Sequence, residues 1–287
     1  MTGYSSRIRS VLAFMNGGPM RLSERNSVSV GGHGDRTIVF LHGYGCDSGM
    51  WRAILPSFQD SFRTITYDLT GSGSSHAADY DPVRYASLTA HADDLIAILE
   101  EQGVRDVIAV GHSISAMTIG LAATRRPDLI ARLVMVCPSP SYIDDDGYDG
   151  GFARSDLMDL IDVLDSNYLG WARQMAPQIM GVPAKPELGA ELTDSFCRTD
   201  PDIARHFARV TFLQDHRTDV KEMAQPTLIL QCRDDVLVPP QVGDWMVAHM
   251  PDASLTLLDV TGHCPHMSAP AMTAEAIKDF LRQPVAA

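Results

Sequence analysis

Residues 107–117 read VIAVGHSISAM, a β-branched apolar run followed by Gly111-His112-Ser113-Ile114-Ser115 and then a helix-forming stretch. A strand that turns sharply into a helix around a serine is a nucleophile elbow. The turn needs small residues two before and two after the nucleophile, because a bulky Cβ there would meet neighbouring backbone, and it lifts the serine Oγ clear of the sheet. Gly111 meets the first requirement. Ser115 stands where glycine is the common choice, a departure its small size tolerates. An ordinary strand-to-helix turn containing serine would read the same, so the pattern needs support from the rest of the chain.

Working outward, further short apolar or β-branched runs read as strands: SVSV (27–30), TIVFL (37–41), RTITY (63–67), LVMVC (133–137), TLILQC (227–232) and SLTLLD (254–259). TIVFL, VIAV, LVMVC and TLILQC are apolar on both faces, as buried parallel strands are. Helical patterns lie between several of them. The clearest spans 87–103, with Leu88, Ala92, Leu95, Ile96 and Leu99 on one face and Gly103 as a stop. The alternation predicts an α/β fold, a mostly parallel doubly wound sheet covered by helices on both sides.

The rhythm breaks between Pro138 and Gln225, 88 residues where a crossover with its strands needs about 30. The surplus is helical in pattern over 155–180, 187–197 and 200–213. Residues 140–218 are therefore expected to form a helical cap over the strand ends, inserted into a core of residues 23–139 and 219–287. Ligands bind at that edge in such folds. Residues 1–22 read as a poorly ordered extension, and Met20 would serve as an alternative start.

The chain of 287 residues carries 23 Lys+Arg against 36 Asp+Glu, a formal charge of −13, with 45% hydrophobic residues. This is a globular composition, and the acidic balance with no basic run disfavours nucleic acid and anionic lipid as partners. VLAFM near the start is too short for a signal-peptide core. The five cysteines form no paired motif, so free thiols and a cytoplasmic location are expected.

Two later segments supply partners for Ser113 in the chain order serine, acid, histidine. After TLILQC comes Arg233-Asp234-Asp235-Val236-Leu237-Val238-Pro239; Asp235 is preferred over Asp234 for its D-x-x-V-P spacing, against the plain alternative of a solvated turn. After SLTLLD comes Thr261-Gly262-His263-Cys264-Pro265-His266. His263, directly after a glycine, suits a base, and His266 reads as a packing residue. A Ser113, Asp235, His263 triad would attack a carbonyl and needs two backbone donors for the developing oxyanion. Ile114 supplies one, and Tyr44, in the glycine-rich Leu41-His42-Gly43-Tyr44-Gly45, the other. Without the triad that loop would be only a turn.

Other features point elsewhere. Asp68-Leu69-Thr70-Gly71-Ser72-Gly73 lacks the third glycine and the opening helix of a dinucleotide site. Asp144-Asp145-Asp146 lacks the spacing of a calcium loop. Cys137 and Cys264 read as small buried fillers. No cofactor and no metal is expected.

LHGYGCD, DLTGSGSS, GHSISAM, MVCPSPSYI, GGFARSDL, SNYLGWA, FCRTDPDIARHFA, PTLILQCRDD and TGHCPHMSAP together resemble the RsbQ family of α/β-hydrolases, whose superfamily branch includes the plant karrikin and strigolactone receptors. The resemblance covers about residues 22–283. It implies an α/β-hydrolase fold with a four-helix, V-shaped lid, a cofactor-free Ser-Asp-His site, and an apolar pocket lined by Phe152, Trp171, Met175 and Phe212. Receptors of the branch often carry Phe where Met175 stands. Two functions are compatible with it: hydrolysis of a small, largely apolar ester or lactone, or a signalling role in which slow turnover activates a PP2C-type phosphatase bearing a sensor domain. A catalytically dead scaffold is the third alternative, disfavoured by the intact triad pattern.

Overall fold

A computed structural model describes residues 20–283. Seven strands form one sheet: β1 (Ser29–Gly31), β2 (Arg36–Leu41), β3 (Phe62–Tyr67), β4 (Val107–His112), β5 (Ile130–Val136), β6 (Thr227–Asp234) and β7 (Ala253–Thr261). Their spatial order is β1-β3-β2-β4-β5-β6-β7, with β1 antiparallel to β3 and every other pair parallel. From β2 the chain runs out to β3 and returns to β4 on the other side of β2. The connections after β2 and β4 therefore part company, which opens a crevice at their carboxyl ends. Every residue of β4 is buried, as an apolar run covered on both faces requires.

Core helices α1 (Leu88–Glu101) and α2 (Ile114–Arg125) follow β3 and β4. Ser87 caps α1 by accepting from the Thr89 N–H, and Gly103 takes φ +65° just past its end. The buried face of α1 is rotated from the expected one: Ile98 joins Leu88, Ala92, Leu95 and Leu99 inside, while Ile96 is left half-buried. Buried His91 and Asp94 widen that face. Asp94 accepts from Thr70, Arg84 and Tyr85, so a polar hub occupies space that hydrophobic periodicity assigns to apolar side chains.

Between β5 and β6 stand the cap helices α3 (Arg154–Ser166), α4 (Tyr168–Met180), α5 (Pro186–Arg198) and α6 (Pro201–Phe212). Asn167 and Asp200 cap α4 and α6 through their carboxamide and carboxylate oxygens. The two ends of this insertion meet, because Ser141 bridges to Asp215 and the His216 N–H donates to the Pro140 carbonyl at 2.7 Å. Helices α7 (Pro240–His249) and α8 (Pro270–Arg282) complete the core.

A short helix at Leu22–Arg25 precedes β1, so ordered structure begins before the 27–30 segment. Residues 1–19 of the expected extension lie outside the described residues. Asp68 pins its turn by accepting from the Ser48 and Ser74 N–H groups, both at 2.7 Å, and Asp145 is engaged by Arg217 at the surface. No described helix is long and apolar enough to cross a membrane.

Candidate active site

Ser113 sits alone between β4 and α2 with φ 55° and ψ −122°, a conformation that side chains rarely adopt. Its N–H donates to the Val136 carbonyl at 2.8 Å and its carbonyl accepts from the Ala116 N–H at 2.9 Å, which hold the strained residue in place. A Cβ on Gly111 would lie 2.4 Å from the Ser115 carbonyl oxygen, so the glycine two before the serine is a steric necessity. Ser115 does more than fit: its Oγ donates to the His42 carbonyl at 2.5 Å and ties the elbow to the glycine-rich loop after β2.

His263 Nε2 lies 2.8 Å from Ser113 Oγ, and His263 Nδ1 lies 2.6 Å from Asp235 Oδ2. The other Asp235 oxygen accepts from the Leu237 and Val238 N–H groups, at 2.9 and 3.3 Å, leaving the carboxylate little freedom. Asp234 instead faces Thr261 on the surface. The His263 backbone is fixed at both ends, with its N–H donating to the Ile179 carbonyl of the cap and its carbonyl accepting from His112 Nε2 at 2.8 Å. His112 therefore places the His263 ring, a role that the sequence reading missed, since a histidine beside the elbow serine carries no local signal for it. Burial and the neighbouring His266 and His263 rings hold His112 far below the usual imidazole pKa, so it is neutral and presents Nε2–H to that carbonyl. His266 packs against Trp51 and His112 at centroid distances of 4.4 and 4.6 Å, and burial pushes its pKa down to about 3.

Gly43 approaches the site so closely that a Cβ would stand 2.5 Å from His112 Nδ1, and Gly45 takes φ +69°. His42 holds the loop by accepting the Leu69 N–H at Nε2 and donating from Nδ1 to the Gly43 carbonyl. Among the described residues, neither the Tyr44 nor the Ile114 backbone N–H has a protein acceptor.

Above Ser113 lies a cavity of about 30 Å³, walled by Tyr44, Tyr142, Trp171, Phe196, Phe212 and Leu237. Such a volume suits one or two water molecules. The aromatic rings fill the rest: Tyr44 packs edge-on to Trp171, Phe207 and Phe212 at 5.7 to 6.4 Å. Trp171 and Phe212 thus share the chamber with Ser113, but Phe152 and Met175 do not line it. The buried stripe of α4 runs through Trp171, Ala172, Ala176 and Ile179 and leaves Met175 on its shoulder. Phe152 is held by strand-like backbone bonds to Tyr142 and Asp144 in the loop before α3.

Cys137 Sγ and donor atoms of Asp235 and His263 lie within 4.8 Å of one another. The carboxylate and imidazole already engage each other, however, and burial raises the Cys137 thiol far above its usual range, which opposes the thiolate a metal requires. Cys264 lines the chamber and is raised in the same way.

A serine, an imidazole and a carboxylate in one relay, at the strand ends of a doubly wound sheet beneath a helical cap, define the α/β-hydrolase class. Residues 38–276 match the alpha/beta hydrolase family, and the chain belongs to that family. It is 36% identical to a strigolactone esterase of Pisum sativum over 90% of this chain and 97% of the relative. It is 34% identical to a karrikin insensitive 2 receptor of Petunia hybrida, over 88% and 93% of the two chains. The structure of a hydrolase from Oleispira antarctica superposes with a TM-score of 0.88 at 38% identity, covering 91% of this chain and 97% of that one.

Proposed function

We propose that this chain is a cofactor-free serine hydrolase that cleaves a small, largely apolar ester or lactone through an acyl-enzyme. The observation that carries the reading is the unbroken relay from Asp235 through His263 to Ser113, with contacts of 2.6 and 2.8 Å, opening on an apolar chamber. His263 takes the Ser113 proton as Oγ attacks the carbonyl. Asp235 fixes the tautomer with the proton on Nδ1 and stabilises the imidazolium. The Tyr44 and Ile114 N–H groups receive the oxyanion, and the imidazolium returns its proton to the leaving oxygen. Water then repeats the sequence on the acyl-enzyme. Trp171 and Phe212 sort the acyl group by shape.

A time course with an activated short-chain aryl ester tests this, comparing the wild type with Ser113→Ala. Sustained turnover that vanishes in the variant supports the hydrolase; equal rates in the two proteins sink the triad. A burst near one equivalent followed by near-silence would instead support the second reading, a ligand sensor with slow deacylation, which is favoured by the relatives named as receptors. Its PP2C-type phosphatase partner rests on the RsbQ resemblance alone, and co-purification with such a phosphatase would test it.

A further inference from the structure

Tyr142 lies in the loop after β5 and is 1% exposed. Its hydroxyl stands 3.5 Å from Ser113 Oγ and has no other protein partner among the described residues. At that distance little hydrogen-bond energy is realised, so a buried donor is left almost unspent beside the nucleophile. Native proteins rarely leave such a group without a partner. Burial raises the phenol well above its ordinary pKa, so it keeps its hydrogen and can only donate to an incoming oxygen or accept from a donor.

The residue is also held in place. Its carbonyl accepts from the Phe152 N–H at 3.1 Å, and the adjoining Ser141 carbonyl accepts from both Ser139 Oγ and Tyr148 OH at 2.7 Å. Phe212 packs edge-on to the ring at 5.3 Å. The sheet order then decides which reacting oxygen the hydroxyl meets. With β4 between β2 and β5, the Tyr44 loop after β2 flanks Ser113 on one side, and Tyr142 after β5 flanks it on the other, the side of Asp235 after β6. The oxyanion belongs to the Tyr44 side. The leaving oxygen belongs to the side of the imidazole that must protonate it.

We infer that Tyr142 is a further catalytic residue, which donates a hydrogen bond to the ester or lactone ring oxygen as it departs. The inference rests on the serine-hydrolase reading above. In the step, the Oγ–carbon bond is already formed, the carbon–oxygen bond of the leaving group breaks, and its electron pair stays on that oxygen. The proton comes from His263 Nε2, while Tyr142 keeps its own hydrogen and stabilises the developing charge. Substrates with basic leaving groups, such as alkyl esters and lactones, gain most, because their departing oxygen carries the most charge.

The test is Tyr142→Phe, which removes one oxygen and keeps the ring, assayed on esters that share one acyl group and differ in leaving group. With a nitrophenyl ester kcat/KM is expected to change less than about threefold, and with the alkyl ester to fall about 10- to 100-fold, the range of a hydrogen bond to a charged group. A steeper dependence of rate on leaving-group basicity in the variant is the signature. Equal losses on both esters, or no loss on either, overturn the assignment. Folding is read separately by thermal melting, and a variant that does not fold is replaced by Tyr142→Leu, judged by the same ratio of the two rates. Ser113→Ala keeps the two claims apart: turnover independent of Ser113 fails both, whereas Ser113-dependent turnover insensitive to Tyr142 fails only this one.

Discussion

Ser115 Oγ donates to the His42 carbonyl at 2.5 Å, joining the turn that carries the nucleophile to the loop that carries the Tyr44 N–H. The position two after Ser113 thus fixes the spacing between its Oγ and the Tyr44 N–H, the proposed nucleophile and oxyanion donor. Ser115→Gly restores the commoner elbow residue but leaves the His42 carbonyl unpartnered. It is expected to cost about 1–3 kcal/mol of stability and to lower kcat more than it raises KM, since the oxyanion donor matters only in the transition state. Denaturant melts and steady-state kinetics check this, and an unchanged kcat would contradict it.

Asp235→Asn keeps the shape of the acid but turns a charged acceptor into an amide that favours the wrong imidazole tautomer. A loss of about 10³- to 10⁴-fold in kcat is expected, with KM little changed. The same substitution at Asp234, which faces Thr261 on the surface, should leave kcat within about twofold. Equal sensitivity at the two positions would mean that the acid has been misassigned.

Acid should unfold the protein early. Burial lowers the pKa of His42 and His112, that of His91 to about 4 and that of His266 to about 3. Each is neutral in the native state, whereas the unfolded chain takes up the proton below about pH 6.5. Their contribution is therefore fully present above pH 6.5 and lost as pH falls toward 3 to 4, by about 1.4 kcal/mol per pH unit for each proton. His91 packs against Phe207 of α6 at 5.0 Å, so its protonation also loosens the cap. Thermal melts at pH 7.5, 6 and 5 should show Tm falling progressively; a flat profile would contradict the buried neutral state.

The chamber is too full for a substrate as it stands, since ligand pockets measure about 300–1,000 Å³ and this one offers about 30 Å³. Phe212, which packs on both Tyr44 and Tyr142, is the ring whose removal enlarges it most directly. Phe212→Ala should shift preference toward bulkier acyl groups while costing about 3–5 kcal/mol of stability. Relative kcat/KM across an acyl-chain series, read beside the melting curve, tests both halves.

The sequence by itself determined what is local. The elbow is legible because Gly111 and a small residue at 115 are demanded within five residues of backbone, and β2, β4, β5 and β6 because doubly buried strands leave an apolar signature of period and length. The order serine, acid, histidine follows from which loops leave the carboxyl ends of those strands. Tertiary structure alone decided which side chains meet. Ser113 and His263 are 150 residues apart, and Asp235 and His263 28 apart, so no local pattern could separate Asp235 from Asp234 by contact. The family resemblance placed Met175 with Trp171 in the pocket, but the chamber is set by which face of α4 packs inward, and that face carries Trp171 and Ile179 and leaves Met175 at the shoulder. Nothing near Tyr142 in sequence announces a hydroxyl beside Ser113; it stands there because β5 is the neighbour of β4 in the sheet.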